Sequence, residues 1–225
     1  MASVDKKSVV NWWEKASETE RKEFLQEVGV YAYFFSPLRK CCSETLEKLL
    51  IDLTTIFNQN GLHYWVDFGA LLGLVRAGDL IPYDKDIDIG IFESDIDKYN
   101  SLQKQIEAKG YHFHKIDRQL LQSTDNFVPR VHLGLDKSHC RSYCACDIFV
   151  YQNLMKHPPR KSVVLNHGGM VMCDSSFLEE TEWLEWKGHK MRVPKNREGY
   201  LKMRYGPKWR LADPLYYRHN FIGSA

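Results

Sequence analysis

The chain has 225 residues, of which 44% are hydrophobic and 27% are charged, and its formal net charge is +2. This apolar content is enough for a folded core and argues against intrinsic disorder. The balanced charge gives no sign of the basic face that nucleic-acid binding requires. No apolar run approaches the roughly 20 residues of a membrane-spanning helix, and the first 15 residues lack the apolar core of a signal peptide. We therefore expect no transmembrane segment, no nucleic-acid partner and a cytoplasmic location, unless a targeting segment has been removed.

The first part of the chain predicts two helical regions. Residues 1–38 are expected to form an N-terminal helical extension, docked by its apolar residues Trp12, Trp13, Phe24 and Leu25. Residues 39–225 are then expected to form the main domain. Its first helix opens at Ser43, shows apolar residues at the three-and-four spacing of an amphipathic helix, and ends at a capping Gly61.

Helices and strands alternate through the rest of the chain. A strand is predicted at 63–68, a short helix at 70–76, and a second strand at 87–92. Ser94 and Asp97 have the spacing of a capping box, which predicts a helix from there to about residue 109. Further strands are predicted at 111–116, 128–135 and 145–151, with a hairpin around Gly188 and a final helix at 196–205. This order indicates a mixed α/β or α+β domain.

The most informative stretch is DKDIDIGIF at residues 84–92. Because side chains alternate between the faces of a strand, Asp84, Asp86 and Asp88 share one face while the isoleucines share the other. Clustered carboxylates are the oxygen ligands that Mg²⁺ or Mn²⁺ prefers. An exposed acidic strand start is one alternative, and the DxD motif of sugar-nucleotide glycosyltransferases is another. A calcium loop fits poorly, because its sixth position would be Ile89 and not glycine.

A strand, a glycine and a helix precede the acidic stretch. The free backbone N–H groups at the helix start, around Gly69 and Ala70, are expected to bind phosphate of a nucleotide, helped by the helix dipole. Arg76 and Arg130 are possible phosphate partners, since a guanidinium can bind phosphate with two hydrogen bonds. An ordinary strand–turn–helix corner and two surface arginines are the alternatives.

A single acid, Asp147, opens a later apolar strand. Three features follow one another along the chain: a glycine turn with a helix, a strand with paired acids, and a later strand with one acid. They occur in the order typical of polymerase-β-like nucleotidyltransferases. This order predicts that Asp86, Asp88 and Asp147 bind one or two metal ions and form the catalytic site.

The six cysteines are expected to be reduced thiols. His139, Cys140, Cys144 and Cys146 form a group that could hold zinc, but their spacing matches no standard zinc motif. We favour thiols without a metal.

Residues 64–76, together with 79–89, closely resemble the LicD/fukutin family, and residues 200–209, with Tyr205, Gly206 and Trp209, are similar to that family's C-terminal signature. The resemblance implies an α+β fold of the polymerase-β-like nucleotidyltransferase type, with a mixed sheet flanked by helices. Two positions depart from the family: Ala70 replaces a frequent Thr or Ser, and Lys85 replaces a frequent acidic residue.

The resemblance also implies a function. Members of this family transfer phosphocholine or a polyol phosphate from a CDP-linked donor to a glycan or another hydroxyl acceptor, and CMP is released. Asp147, which lies alone on its strand, is expected to combine metal binding with the role of general base. A DxD-type glycosyltransferase and a catalytically silent nucleotide-binding relative are the alternative functions.

Overall fold

The computed structural model describes residues 40–81, 84, 86–121, 129–133, 144–153, 161–165 and 172–211, with a few isolated positions before residue 24. Most of the extension predicted at 1–38 lies outside the described residues, as do Trp13, Phe24 and Leu25. Trp12 is described, and its side chain is exposed.

Helix α1, Lys40–Gln59, is the first long element of the domain. Its apolar face is buried, as the three-and-four spacing predicts, by Leu46, Leu49, Leu50, Leu53, Ile56 and Phe57. The chain leaves the helix through Gly61, whose positive φ of 60° suits a glycine. This face packs against the central sheet.

The next three elements confirm the sequence prediction within two residues at each end. Strand β1 is Tyr64–Asp67, helix α2 is Phe68–Ala77, and strand β2 is Asp86–Phe92. Asp67 caps α2 through its carboxylate, which accepts a hydrogen bond from the Phe68 backbone N–H. This side-chain cap satisfies a helix donor that would otherwise lack a partner.

The predicted capping box at Ser94 is wrong. A 3₁₀ turn at Glu93–Asp95 follows β2 directly, and Ser94 lies inside it. The predicted single helix is divided into α3, Ile96–Ser101, and α4, Gln103–Glu107, with a break at Leu102. The tight turn after β2 takes up the residues that would have formed the cap.

The remaining elements in the described part of the chain are mostly strands, with three short helices between or after them. In chain order they are β3 Tyr111–Phe113, α5 Arg118–Leu121, β4 Arg130–Leu133, β5 Ala145–Asn153, β6 Lys161–Leu165, β7 Met172–Asp174, α6 Ser176–Glu179, β8 Thr181–Trp186, β9 His189–Pro194 and α7 Arg197–Tyr205. The hairpin expected around Gly188 is the β8–β9 pair, and Asn196 caps α7. Strands β6 and β7 and helices α5 and α6 were not predicted.

The main sheet has the strand order β1-β2-β5-β4-β3, and β5 also pairs with β6, which pairs with β7. Strand β2 runs parallel to β5, whereas the other pairs are antiparallel. The domain is therefore an α+β structure with a mixed sheet flanked by helices. Buried isoleucines of β2 face α1, and the acidic side chains of the same strand lie on the opposite face.

Trp65 and Gly90 form a close contact on the acidic face of the sheet. The two residues are register partners on β1 and β2. A Cβ atom added to Gly90 would lie 2.3 Å from the Trp65 ring. The absence of a side chain at Gly90 therefore lets the indole lie flat on β2.

We expect Gly90→Ala to lower the free energy of unfolding by about 2–3 kcal/mol, because the indole must move to make room. Gly110→Ala is the control: its φ is 88° but no atom lies within 4 Å of the added Cβ, so only the backbone cost of about 1 kcal/mol remains. Urea unfolding measures both values. Equal losses in the two variants would show that the Trp65 contact is unimportant.

Candidate active site

The parallel pairing of β2 with β5 brings the predicted acidic residues together. Asp88 is the register partner of Asp67 on one side and of Asp147 on the other. Asp147 is in turn the register partner of Arg130 on β4. These four residues form a row across neighbouring strands, which lie about 4.8 Å apart. Asp86 lies on the same face as Asp88, two residues earlier on β2.

Asp88 has the most unfavourable electrostatic environment in this row. It lies deep among neighbouring atoms, although part of its side chain remains accessible. Burial raises its pKa well above the usual value, and the charges of Asp86, Asp84, Asp147 and Asp67 raise it further, in that order. The site is therefore a region of excess negative charge that favours a cation.

Asp147 is buried, with 6% of its surface exposed, and it forms an ion pair with Arg130. Arg130 Nε lies 2.7 Å from Asp147 Oδ1, and Arg130 Nη2 donates a hydrogen bond of 3.2 Å to Oδ2. Burial raises the pKa of Asp147 to about 6, while Arg130 opposes the shift. Arg130 was a possible phosphate partner or a surface arginine; here its guanidinium contacts a predicted metal ligand.

Gly69 lies in the first turn of α2, beside the acidic residues. A Cβ atom at this position would lie 2.6 Å from Asp84 Oδ2 and 3.9 Å from Asp88 Oδ2. The glycine therefore allows the Asp84 carboxylate to approach the backbone here, where we expected a phosphate. The neighbouring Ala70 is buried. Phosphate binding by Gly69 and Ala70 stays a prediction.

Arg76 lies at the other end of α2, in its last turn. Seven residues separate it from Gly69, which corresponds to about 10 Å along a helix axis. The two residues cannot bind the same phosphate through their backbones. If Arg76 binds the donor, its guanidinium and not its backbone must make the contact.

Asp67 differs from the other acids of the row because all its hydrogen-bonding capacity is used. Its Oδ1 accepts from the Phe68 backbone N–H at 2.8 Å and from the Tyr200 hydroxyl at 2.8 Å. Its Oδ2 accepts from Trp65 Nε1 at 3.1 Å and from the Tyr151 hydroxyl at 2.6 Å. Four donors on a fully buried carboxylate leave no free position for a metal ion.

Arg204 of α7 completes this buried network. Its guanidinium donates to the hydroxyls of Tyr200 and Tyr151, and its Nε lies 3.8 Å from Asp67 Oδ1. The guanidinium carbon also lies 4.1 Å from the centre of the Phe68 ring. Phe68 has a positive φ of 40°, a strained conformation for a bulky residue. The network therefore joins α7 to the strained start of α2, directly beside Gly69.

Sequence reasoning gave no role to Asp67, Tyr151 or Arg204. One signal was present in the sequence: Tyr200 and Arg204 are four residues apart, so they lie on the same face of a helix. Tyr205, in the predicted C-terminal signature, is close enough to the site for the charge of Asp88 to add to the effect of burial in raising its pKa.

Whether Asp86, Asp88 and Asp147 can hold a metal ion depends on the donor atoms that they bring together. Among the residues that the structure describes, no three His, Cys, Asp or Glu side chains converge closely enough to hold a metal as they stand. The chemistry of the site nevertheless suits a hard cation, because Asp86, Asp88 and Asp147 are on one face of two neighbouring strands. Asp147 Oδ1 is buried and lies 2.7 Å from Arg130 Nε, so a metal ion would have to share this oxygen with the arginine or displace it. Binding of Mg²⁺ or Mn²⁺ would relieve the repulsion and use this oxygen.

The predicted cysteine and histidine group is only partly described. His139 and Cys140 lie outside the described residues, whereas Cys144 and Cys146 are buried. Burial and the charges of Asp147, Asp88 and Asp86 raise the pKa of Cys146 well above its usual range. The preference for thiols without zinc stays a prediction.

A separate cleft of about 470 Å³ lies near the other end of β1. Its lining includes Asn58, His63, Glu180, Arg192 and Lys195. His63 precedes β1, whereas Asp67 ends it, so this cleft and the acidic row are at opposite ends of the strand.

The fold and the site define an α+β domain that carries an acidic row at one end of a mixed sheet. Residues 61–196 match the family described as LicD/FKTN/FKRP, nucleotidyltransferase domain. The match covers more than half of the chain. The chain therefore belongs to this family, as the resemblance in the sequence indicated.

Individual relatives support this assignment. The chain is 24% identical over 210 residues to the ribitol 5-phosphate transferase FKRP of Homo sapiens, a match that covers 88% of this chain and 39% of that protein. It is 26% identical over 180 residues to FKRP of Mus musculus, with 74% and 32% covered. It is 25% identical over 197 residues to the ribitol-5-phosphate transferase FKTN of Homo sapiens, with 84% and 37% covered. The chain thus spans less than half the length of these relatives.

One solved structure is also similar, that of ANT(2″)-Ia in complex with adenylyl-2″-tobramycin, at 13% identity and a TM-score of 0.41. The similarity covers 66% of this chain and 68% of the other. Within the described part of the chain, no helix combines the length and the apolar character needed to cross a bilayer.

Arg204→Met should lower the free energy of unfolding by about 3 kcal/mol, because it leaves the buried Asp67 charge without its cation. Arg210→Met is the matched control. Arg210 also packs on an aromatic ring and pairs with a carboxylate, but it is half-exposed, so its loss should cost no more than about 0.5 kcal/mol. Urea unfolding of both variants measures the difference. Comparable losses would mean that the buried network contributes no more than a surface pair.

Without metal, the free energy of unfolding should fall as pH rises from about 4 to about 6. Folding raises the pKa of Asp147 from 3.8 to about 6, so in this range the native state binds more protons than the unfolded state. Asp147→Asn should remove this part of the decline, whereas exposed Asp97→Asn should keep it. Urea unfolding at several pH values in a chelator tests the expectation. An unchanged pH dependence in Asp147→Asn would contradict it.

Proposed function

We propose that this protein is a metal-dependent transferase that moves a phospho-alcohol from a CDP-linked donor to a hydroxyl acceptor, such as a glycan, and releases CMP. The observation that carries the proposal is the register of Asp88 with Asp147 on parallel strands, next to Asp86, in a chain of the LicD/FKTN/FKRP family. Relatives of this chain are ribitol 5-phosphate transferases, so ribitol phosphate is the first alcohol to test.

The charge of the site supports dependence on a divalent cation. The charges of Asp84, Asp86 and Asp147 all act on Asp88, and Arg130 forms an ion pair with Asp147. A diphosphate donor would bring further negative charge to this face of the sheet. Phosphoryl transfer requires neutralisation of such charge. A bound Mg²⁺ or Mn²⁺ would supply it and would make a hydroxyl more acidic.

The residues are proposed to divide the work as follows. Asp86, Asp88 and Asp147 hold the cation, and Gly69, Ala70 and Arg76 contact the donor. The acceptor oxygen attacks the phosphorus next to the alcohol, and the bond from that phosphorus to the oxygen bridging the diphosphate breaks. CMP leaves with that oxygen, and Asp147 accepts the proton of the acceptor hydroxyl.

The direct test is incubation of the purified protein with Mg²⁺ or Mn²⁺, a panel of hydroxyl acceptors, and CDP-ribitol, CDP-choline, CDP-glycerol or nucleotide sugars. Chromatography follows the released nucleotide, and mass spectrometry identifies the product. We expect CMP from a CDP-alcohol and an acceptor that has gained a phospho-alcohol. Release of a nucleoside diphosphate from a nucleotide sugar would instead indicate a glycosyltransferase. An acceptor that gains CMP would indicate nucleotidyl transfer.

Variants of the acidic residues test the site itself. Asp86→Asn and Asp88→Asn should each lower turnover by at least about 100-fold and weaken metal binding. Asp147→Asn should lower turnover by a similar factor but change donor binding little, because two carboxylates still hold metal. Exposed Asp97→Asn is the control and should keep full turnover. Normal turnover in any of the first three variants would contradict the role given to that residue.

A further inference from the structure

We propose that His114 and His132 form a second metal site, which binds a divalent transition-metal ion of the zinc class. His132 lies on β4, and His114 follows β3, its antiparallel neighbour. The backbone N–H of His114 donates to the Arg130 carbonyl. His132 lies two residues after Arg130 on the inner strand β4, and His114 follows the edge strand β3, so β5 lies between the pair and Asp88 on β2.

The distance between the two ring nitrogens fits two ligands of one metal ion. His132 Nε2 lies 3.4 Å from His114 Nε2. Zinc binds imidazole nitrogen at about 2.0–2.1 Å, and a tetrahedral angle then places two such nitrogens about 3.3 Å apart. The observed separation agrees with this value.

The orientation of the rings gives a second geometric check. The ring centres of His114 and His132 are 5.2 Å apart, and the planes are inclined at 82°. An imidazole centre lies about 1.1–1.2 Å behind its nitrogen, so two rings aimed at one tetrahedral zinc should have centres about 5.2 Å apart. A straight N–H···N hydrogen bond of the observed length would separate the centres by about 5.7 Å. The observed 5.2 Å between the ring centres is therefore compatible with two rings that share one ion.

The His112 ring packs on the His132 ring but is not a proposed metal ligand. His112 is the register partner of His132, and its ring is stacked on that of His132 at 5.1 Å and 14°. Two stacked, nearly parallel rings do not aim their nitrogens at one point. Within the described residues no third His, Cys, Asp or Glu completes the site. Imidazole ligands select Zn²⁺, Co²⁺, Ni²⁺ or Cu²⁺ over Mg²⁺.

The test is titration of the chelator-treated, reduced protein with Co²⁺ in excess Mg²⁺, which keeps the carboxylates occupied. Visible absorption reports the cobalt geometry, and displacement by Zn²⁺ gives the zinc affinity. We expect saturable binding of one Co²⁺, weakened about tenfold or more in His114→Gln and in His132→Gln. Exposed His189→Gln and stacked His112→Gln are the controls and should retain the affinity within about twofold. Circular dichroism checks that each variant is folded.

Nuclear magnetic resonance of the unmutated protein makes the test independent of variant folding. Zn²⁺ should shift the ring nitrogen signals of His114 and His132 and leave those of His189 unchanged. Three results would overturn the proposal: no saturable binding, a Co²⁺ affinity in His114→Gln and His132→Gln that is unchanged from the unmutated protein, or an intense sulfur-to-cobalt band in the near ultraviolet. The first would mean that the imidazoles share only a hydrogen bond, and the last would assign the ion to cysteines.

Discussion

The repulsion among acidic side chains on β2 and β5 is the constraint on which the rest of the site depends. Parallel pairing places Asp88 directly beside Asp147, and the strands stay together because their opposite face is apolar and buried. Ile87, Ile89 and Ile148 are almost completely inaccessible to solvent, and full burial of each such side chain contributes about 1.5–3 kcal/mol. Hydrophobic burial on one face thus offsets the electrostatic cost on the other.

The acids of the row have different roles because their hydrogen-bond partners differ. Asp67 is the register partner of Asp88, yet four donors and a buried arginine satisfy it completely. It therefore holds the corner between β1 and α2 and has no capacity left for chemistry. Asp88 lies one strand away and its environment disfavours its charge. The difference comes from the tyrosines and from Arg204, which reach Asp67 alone.

The elements that could be predicted are those whose pattern lies in neighbouring residues of the sequence. Alternation along β2 placed the acids on one face, and three-and-four spacing identified α1. The role of Asp67 had no such signal, because its partners Tyr151 and Tyr200 are 84 and 133 residues away in sequence. The same holds for Arg130, whose contact with Asp147 requires the antiparallel pairing of β4 with β5. Residue spacing alone could not distinguish a phosphate ligand from a partner of Asp147.

Arg130 makes the site electrostatically asymmetric. Its guanidinium partly balances Asp147, whereas the neighbours of Asp88 add charge of the same sign. An incoming cation is therefore attracted most strongly toward Asp88 and Asp86, and it must compete with Arg130 for Asp147. Because Arg130 Nε lies 2.7 Å from Asp147 Oδ1 and Nη2 donates to Oδ2, a cation must share or displace one of these two contacts to reach Asp147. Asp88 and Asp147 thus differ in how firmly they can hold a metal ion, because β4 places Arg130 beside Asp147.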